Sequence, residues 1–346
     1  MSNYRTFRTR GQSFSILWNK KHVTILSVLF MLLCAVFIVS TGIGTMKISP
    51  LDVVRVLIGR GEDTYQVVIT QFRLPRMLVA VMVGAALAVS GALLQGIIRN
   101  PLASPDLVGI TGGASVAAVS FIIFWGGTLS IHLLPLAAIS GALLSAMLMY
   151  GLAWKKGVSP LRMVLIGIGI SSACSALSSV LLLAGPVQQA GQALSWLTGS
   201  VYGSSWKQVW LLLPWMLVLL PLTLLLTRDL NAQSLGDDIA SSIGGRVQRQ
   251  RLVLLALSVA LAGAAAAIGG AISFVGLMAS HMARKLVGPS FGALLPTSAV
   301  IGALTVLLAD VVARTAFAPL DLPAGIFTAA IGAPFFVYLL YRSGRN

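Results

Sequence analysis

The chain has 346 residues, of which 57% are apolar and 10% charged, with a mean hydropathy of +0.92. A soluble domain is about 25% charged, so a water-soluble fold is excluded, and apolar stretches recur from residue 23 to the end with no polar block dividing them. The 24 Lys and Arg against 9 Asp and Glu leave a formal charge of +15, which raises the question of nucleic acid in a soluble protein but of orientation in a membrane protein.

Residues 1–22 form a basic segment containing Arg5, Arg8, Arg10, Lys20 and Lys21. The apolar run that follows, 23–43, exceeds the usual signal-peptide core of about 7–15 residues and ends without a small-x-small cleavage site. It is therefore expected to remain as a spanning helix. A hydrocarbon core about 30 Å thick needs roughly 20 apolar residues in helical form, because every backbone polar group must find its partner within the segment. Suitable runs follow at 77–98, 108–125, 133–154, 163–184, 209–226, 294–309 and 322–341. The run 252–283 is too long for one span and holds a break at Gly269-Gly270, which predicts two helices, the second short and extending through Arg284 and Lys285. The expected fold is an all-α polytopic membrane protein of about ten transmembrane helices, one domain over 23–346, with both termini on the same side.

Lys and Arg are enriched in cytoplasmic loops. With the N-terminus inside, 17 of the 24 fall in inner segments, and seven (Lys47, Arg55, Arg60, Arg73, Arg76, Lys207 and Arg314) fall in outer ones. A miscounted helix would invert every later loop, so this division supports both the count and the orientation. It also accounts for most of the surplus charge, and no nucleic-acid partner is expected.

Chemistry is conspicuous by what the sequence lacks. No GxxxxGK[ST] and no Gly-Lys dipeptide occurs, so any ATP must be hydrolysed by another chain. There is no HExxH; His22, His132 and His281 are widely separated and read as interfacial or packing residues, and Cys34 and Cys174 sit within apolar runs. Asp237-Asp238 lacks the second acidic motif of a metal-dependent prenyl-transfer site. No catalytic residue, metal ligand or cofactor is expected, and an integral membrane enzyme would need a reactive cluster that the sequence does not supply. An ion-gradient-driven transporter normally carries carboxylates within the membrane. Only Asp310 qualifies, and it precedes Arg314 by four residues, so it is either a self-satisfied pair or a proton site.

Small residues concentrate in GISSACSALSS (169–179), GAAAAIGGAISFVG (263–276) and the Gly109/Gly113 pair, where they permit close helix packing or an irregular backbone along a pathway. The longest inner segment runs from Arg228 to Arg251. Ser234 and Asp237 form a capping-box-like start there, and Gly244-Gly245 a stop. Leu235, Ile239 and Ile243 between them fall at i, i+4 and i+8, giving a short helix one apolar stripe suited to a groove on a partner or to the inner headgroups.

Residues 73–113, RLPRMLVAVMVGAALAVSGALLQGIIRNPLASPDLVGITGG, closely resemble the signature region of the FecCD-type permease family, which imports iron–siderophore complexes, haem and cobalamin by ATP-binding-cassette transport. SLGDD (234–238), ISFVGLMASHMARKLVG (272–288), LLADVVAR (307–314) and LPAGIFTAAIGAPFF (322–336) extend the resemblance in order over essentially the whole chain after the basic segment. It implies a type II ABC importer permease with ten spanning helices, paired as a homodimer or paralogous heterodimer. Two cytoplasmic ATPase subunits would hold the ATP-Mg, and one extracytoplasmic binding protein would deliver substrate. Arg73, Arg76 and Arg314 match family arginines that meet acidic residues on the two lobes of that protein. The loop bearing Leu235, Gly236, Asp237, Asp238, Ile239 and Ile243 is implied to couple to the ATPase. The implied task is passage of a ferric siderophore across the bacterial inner membrane by alternating access, with cobalamin or haem as alternatives; NPLASPDLVG favours the siderophore. Iron crossing inside its chelator needs no cluster of His, Cys or carboxylate ligands.

Overall fold

The computed structural model describes residues 4–8, 15–44, 46–126, 128–155, 157–318 and 320–343. Strands β1 (Tyr4–Arg8) and β2 (Ser15–Asn19) pair antiparallel, with Tyr4 opposite Asn19. Helix α1 (Lys20–Gly42) follows at once, capped by the Asn19 side chain, which accepts from the Lys21 N–H at 2.9 Å. The hairpin is not foreseen by composition, the first helix starts three residues before position 23, and Arg10 lies outside the described residues.

Ser49 then caps α2 (Pro50–Leu57), whose proline occupies the first turn, where its missing N–H costs nothing. Helix α3 (Asp63–Val67) continues through one π-helical turn, Val68–Arg73, into α4 (Leu74–Ile98). Together they form a 36-residue run. The span expected at 77–98 thus begins much earlier, and Arg73 and Arg76 lie inside a continuous helix, not at its end.

The remaining helices are α5 (Ile110–Trp125), α6 (Leu134–Ala153), α7 (Pro160–Ala184), α8 (Val187–Thr198), α9 (Trp206–Leu225), α10 (Thr227–Ser234), α11 (Asp237–Ser242), α12 (Val247–Gly269), α13 (Val275–Val287), α14 (Phe291–Thr315) and α15 (Ala324–Ser343). Among the described residues eight helices are long and apolar enough to cross a membrane. The 16-residue α5 stands at the span expected over 108–125, and the 13-residue α13 is the short second helix expected from 252–283. The run 252–283 divides as expected, with Gly270 at φ +69 between α12 and α13. Helices α2, α8, α10 and α11 are too short to cross and carry the connections.

Helix α4 is the axis of the bundle, and every residue from Met82 to Ile98 is buried. It packs chiefly on α12, α13 and α14. Glycines bring these backbones together: a Cβ at Gly84 would lie 2.2 Å from the Gly302 carbonyl oxygen, and one at Gly91 2.4 Å from that of Gly276. Lipid tails are as apolar as leucine, so close packing of this kind, not apolar burial, holds spanning helices together. Helices α1 and α7 bury few residues and turn apolar side chains outward.

The two ends of the bundle gather different connections. Leu230 and Phe291 both pack against Gly96, Asn231 accepts from the Phe291 N–H at 3.0 Å, and Gln248 accepts from the Val158 N–H at 3.1 Å, all at one end. The C-terminus of α1, Arg73, Arg76, Tyr202 and Arg314 meet at the other. The contacts sort these loops into the same two sets as the charge count.

Candidate functional sites: a braced loop and an arginine cluster

Helix α11 begins after Gly236, which adopts φ +123, a conformation that L side chains rarely adopt. The expected capping box is not formed. The Ser234 hydroxyl donates to the Asn231 carbonyl at 2.7 Å, and the Asp237 carboxylate is engaged elsewhere. The expected stop is present: Gly244 stands at φ +86, and the N–H groups of Gly244 and Gly245 donate to Ser241 and Ala240, each at 2.9 Å. Leu235, Ile239 and Ile243 are 66%, 49% and 69% exposed, so the stripe is presented outward, although only Ile239 lies within the six-residue helix and the other two flank it.

Asp237 fastens this edge to the bundle. Arg251 donates to both its carboxylate oxygens at 2.7 and 2.9 Å, and Arg99 donates to one at 3.0 Å. Both Arg251 bonds come from Nη2, and such charge-assisted bonds are about twice as strong as neutral ones. Arg251 is only 1% exposed and also donates to the Val158 carbonyl, while Arg99 closes α4 at φ +55. One carboxylate and its two arginines therefore tie the apolar edge to α4, α12 and the segment between α6 and α7. Asp238 sits in the first turn of α11, where its carbonyl accepts from the Ser241 and Ser242 hydroxyls. Sequence inspection alone does not find Arg99 and Arg251 as partners of Asp237.

At the other end, Arg76 donates through Nε and Nη2 to Asp310 Oδ1, at 3.0 and 2.9 Å, and through Nη2 to Asp321 Oδ1 at 3.2 Å. Its guanidinium also lies 5.4 Å from the centre of the Tyr202 ring. Arg314 Nε stands 3.6 Å from Asp310 Oδ2, so the pair expected within α14 exists but is the weaker half of the arrangement. The strong partner of Asp310 comes from α4, 234 residues away.

Arg314 turns its two terminal nitrogens to the carbonyls of Ile43 and Ser40. Arg73 donates to the carbonyls of Thr41, Gly42 and Met46 at 2.9, 3.0 and 2.6 Å. The last carbonyls of a helix lack partners within it, and α1 has no basic residue in its own last turn. Arginines from α14 and the π-turn supply that cap.

A third node lies between the helices. Asp106, in the segment joining α4 to α5, accepts from the Thr111 hydroxyl at 3.0 Å and from the Phe274 N–H at 3.2 Å, and its carbonyl accepts from the Ser171 hydroxyl at 3.1 Å. Burial pushes its carboxyl above the usual range, against the opposing pull of those two bonds. Phe274 stands at φ +64, a left-handed backbone that is uncommon outside glycine, at the break before α13. Asp106 thus joins α5, α7 and that break, and its place inside NPLASPDLVG is the sequence signal that marks it.

The pattern of the FecCD transport family matches residues 32–342. The chain is 49% identical over 332 residues to the probable siderophore transport system permease protein YfhA of Bacillus subtilis, covering 94% of this chain and 96% of that protein. It is 48% identical over 333 residues to the achromobactin transport system permease protein CbrC of Dickeya dadantii, covering 96% and 95%. A solved metal-chelate type ABC transporter in an inward-facing conformation superposes with a TM-score of 0.83 at 34% identity, over 92% of this chain and 99% of the other. Matched from the middle of α1 to the last turn of α15, the chain belongs to the FecCD transport family.

Proposed function

We propose that this protein is the transmembrane permease subunit of an ABC importer and carries a ferric siderophore across the bacterial inner membrane by alternating access. The observation that carries the reading is the exposed apolar edge of Leu235, Ile239 and Ile243, braced on Asp237, which suits reception of a mechanical push from a partner. In this reading Leu235, Gly236, Asp237, Asp238, Ile239 and Ile243 meet a cytoplasmic ATPase. Two ATPase subunits hold the ATP-Mg and perform the hydrolysis, this chain performs none, and a second permease, identical or paralogous, completes the pathway. Both termini lie in the cytoplasm, as the 17 to 7 division of basic residues supports.

The names of YfhA and CbrC support a siderophore over haem or cobalamin. A gradient-driven carrier is less well supported, because Asp310, the one carboxylate read as a coupling group, is gripped by Arg76 with Arg314 beside it. On the outer face we assign docking of an acidic, extracytoplasmic binding protein to the cluster of Arg73, Arg76 and Arg314, whose planar forks suit carboxylates.

Cysteine placed at Ile239 should cross-link to the ATPase subunit in membranes. Leu235→Asp or Ile239→Asp should insert normally yet lose ATPase binding, since an unpaired charge buried in a docking groove costs several kcal/mol. Normal ATPase association and normal uptake in both variants would refute the assignment of this loop.

A further inference from the structure

The three arginines of the outer cluster are not equally available. Arg73 and Arg314 direct their donors to carbonyls of residues 40–46 and cannot leave without uncapping α1. Arg76 is different. It holds two carboxylates of opposite character: Asp310, whose side chain is 1% exposed, and Asp321, in the segment between α14 and α15, whose side chain is 33% exposed. Asp310 fixes the plane of the guanidinium from within. Asp321 takes only the Nη2 donor, at 3.2 Å, from the solvent side. Arg76 itself is 13% exposed, so solvent reaches this pair from the Asp321 side and weakens it, whereas the buried pair with Asp310 resists exchange.

We propose that Asp321 occupies the place of a partner's carboxylate, so that an acidic protein docks on Arg76 by exchanging its own carboxylate for that of Asp321. The inference rests on the docking role assigned to this cluster and adds the group that regulates it. An incoming carboxylate aimed at the exposed edge of Arg76 meets Asp321 there, and two like charges cannot share one donor without repulsion. Asp310 remains in place and keeps the fork oriented throughout. With Asp321 present, three arginines face two aspartates and the cluster carries one net positive charge; without it, two. Asp321 therefore holds the docking affinity below what the arginines alone would give, as suits a delivery protein that must leave after each transfer.

The test uses the permease assembled with its partner permease and ATPase subunits in lipid nanodiscs, with association of the purified cognate binding protein followed at low and at physiological salt. Asp321→Asn keeps the size of the side chain and removes its charge. It should tighten binding several-fold, mainly through faster association, with the gain shrinking as salt rises. Asp321→Glu, which keeps the charge, should bind as wild type, and Arg76→Glu should lose binding. Thermal melting of each assembly confirms that Asp321→Asn and Asp321→Glu are folded. Unchanged or weaker binding by Asp321→Asn, with binding lost in a folded Arg76→Glu, would overturn the exchange and leave the docking role standing. Unchanged binding in both Asp321→Asn and Arg76→Glu would overturn the docking role and the exchange together.

Discussion

Arg76 and Asp310, 234 residues apart in sequence, form a two-bonded ion pair that ties α4 to α14 at one end of the bundle. With Asp310 almost fully buried, removal of either partner leaves the other only its weaker contact, Asp321 at 3.2 Å for Arg76 or Arg314 at 3.6 Å for Asp310. Asp310→Ala leaves Arg76 and Arg314 facing each other, and should cost about 3–5 kcal/mol. Arg76→Ala should cost a similar amount, and the double variant markedly less than the sum, since neither charge is then left alone. Thermal unfolding of the four proteins in one detergent measures this; strictly additive losses would show that the pair is not coupled.

At the opposite end, Asp237 and Ile239 should fail differently. Ile239→Asp charges the exposed apolar edge and should weaken ATPase association. Asp237→Asn leaves that edge intact but loosens the bonds to Arg99 and Arg251. It should retain the ATPase yet lower the substrate imported per ATP hydrolysed. Measurement of binding and of transport stoichiometry for both variants separates contact from transmission, and identical defects would argue against a brace.

Glycines divide into two groups. Gly84→Ala and Gly91→Ala push a Cβ onto a neighbouring backbone carbonyl at 2.2 and 2.4 Å and should destabilise the bundle by about 1–3 kcal/mol, the usual range for overpacking. Gly151, in α6, and Gly292, in α14, have nothing within 4 Å of such a Cβ. Gly151→Ala should be neutral or stabilising by up to roughly 1 kcal/mol. Melting temperatures in one lipid–detergent mixture check the contrast.

Asp106 predicts a pH effect of defined sign. Its carboxyl lies above the ordinary Asp value in the folded protein, so folding favours its protonated form, and its contribution to stability falls as pH rises from about 4 through the raised value. Asp106→Asn can accept from the Phe274 N–H and donate to the Thr111 hydroxyl, and it carries no charge. It should match wild type near pH 4 and gain relative stability toward pH 7. Asp106→Leu leaves the Phe274 N–H unpaired and should cost about 1–3 kcal/mol near pH 4, where the wild-type carboxyl is protonated. A melting difference between wild type and Asp106→Asn that does not change with pH would contradict this.

The long helices were legible because a chain in lipid must satisfy its backbone locally, so uncharged runs of span length leave little choice of structure. The division of 252–283 was legible from Gly269-Gly270 for the same reason. Short helices were not. Helix α8 carries no span-length run, although Pro186 precedes it, and α2 announces itself only by Ser49-Pro50-Leu51-Asp52, a cap, a first-turn proline and an acidic first turn that the search for spans passes over. Asp237 fits the spacing of a capping residue, but two arginines from α4 and α12 outcompete the backbone for it. The spacing of Asp310 and Arg314 showed the local pair and hid the stronger one with Arg76, because no periodicity reports a contact between distant helices. Arg73 and Arg314 matched a family pattern for docking, while their work as caps of α1 is visible only in three dimensions.

Reconstituted uptake decides whether this chain forms an ATP-driven path for a ferric siderophore. Proteoliposomes containing this permease, its partner permease and the ATPase subunits, with ATP-Mg enclosed and the binding protein loaded with radiolabelled ferric siderophore outside, should accumulate iron. Omission of ATP or of the ATPase subunits should abolish uptake, whatever proton gradient is imposed. Accumulation driven by a proton gradient in vesicles holding this chain without ATPase subunits would instead identify a gradient-driven carrier.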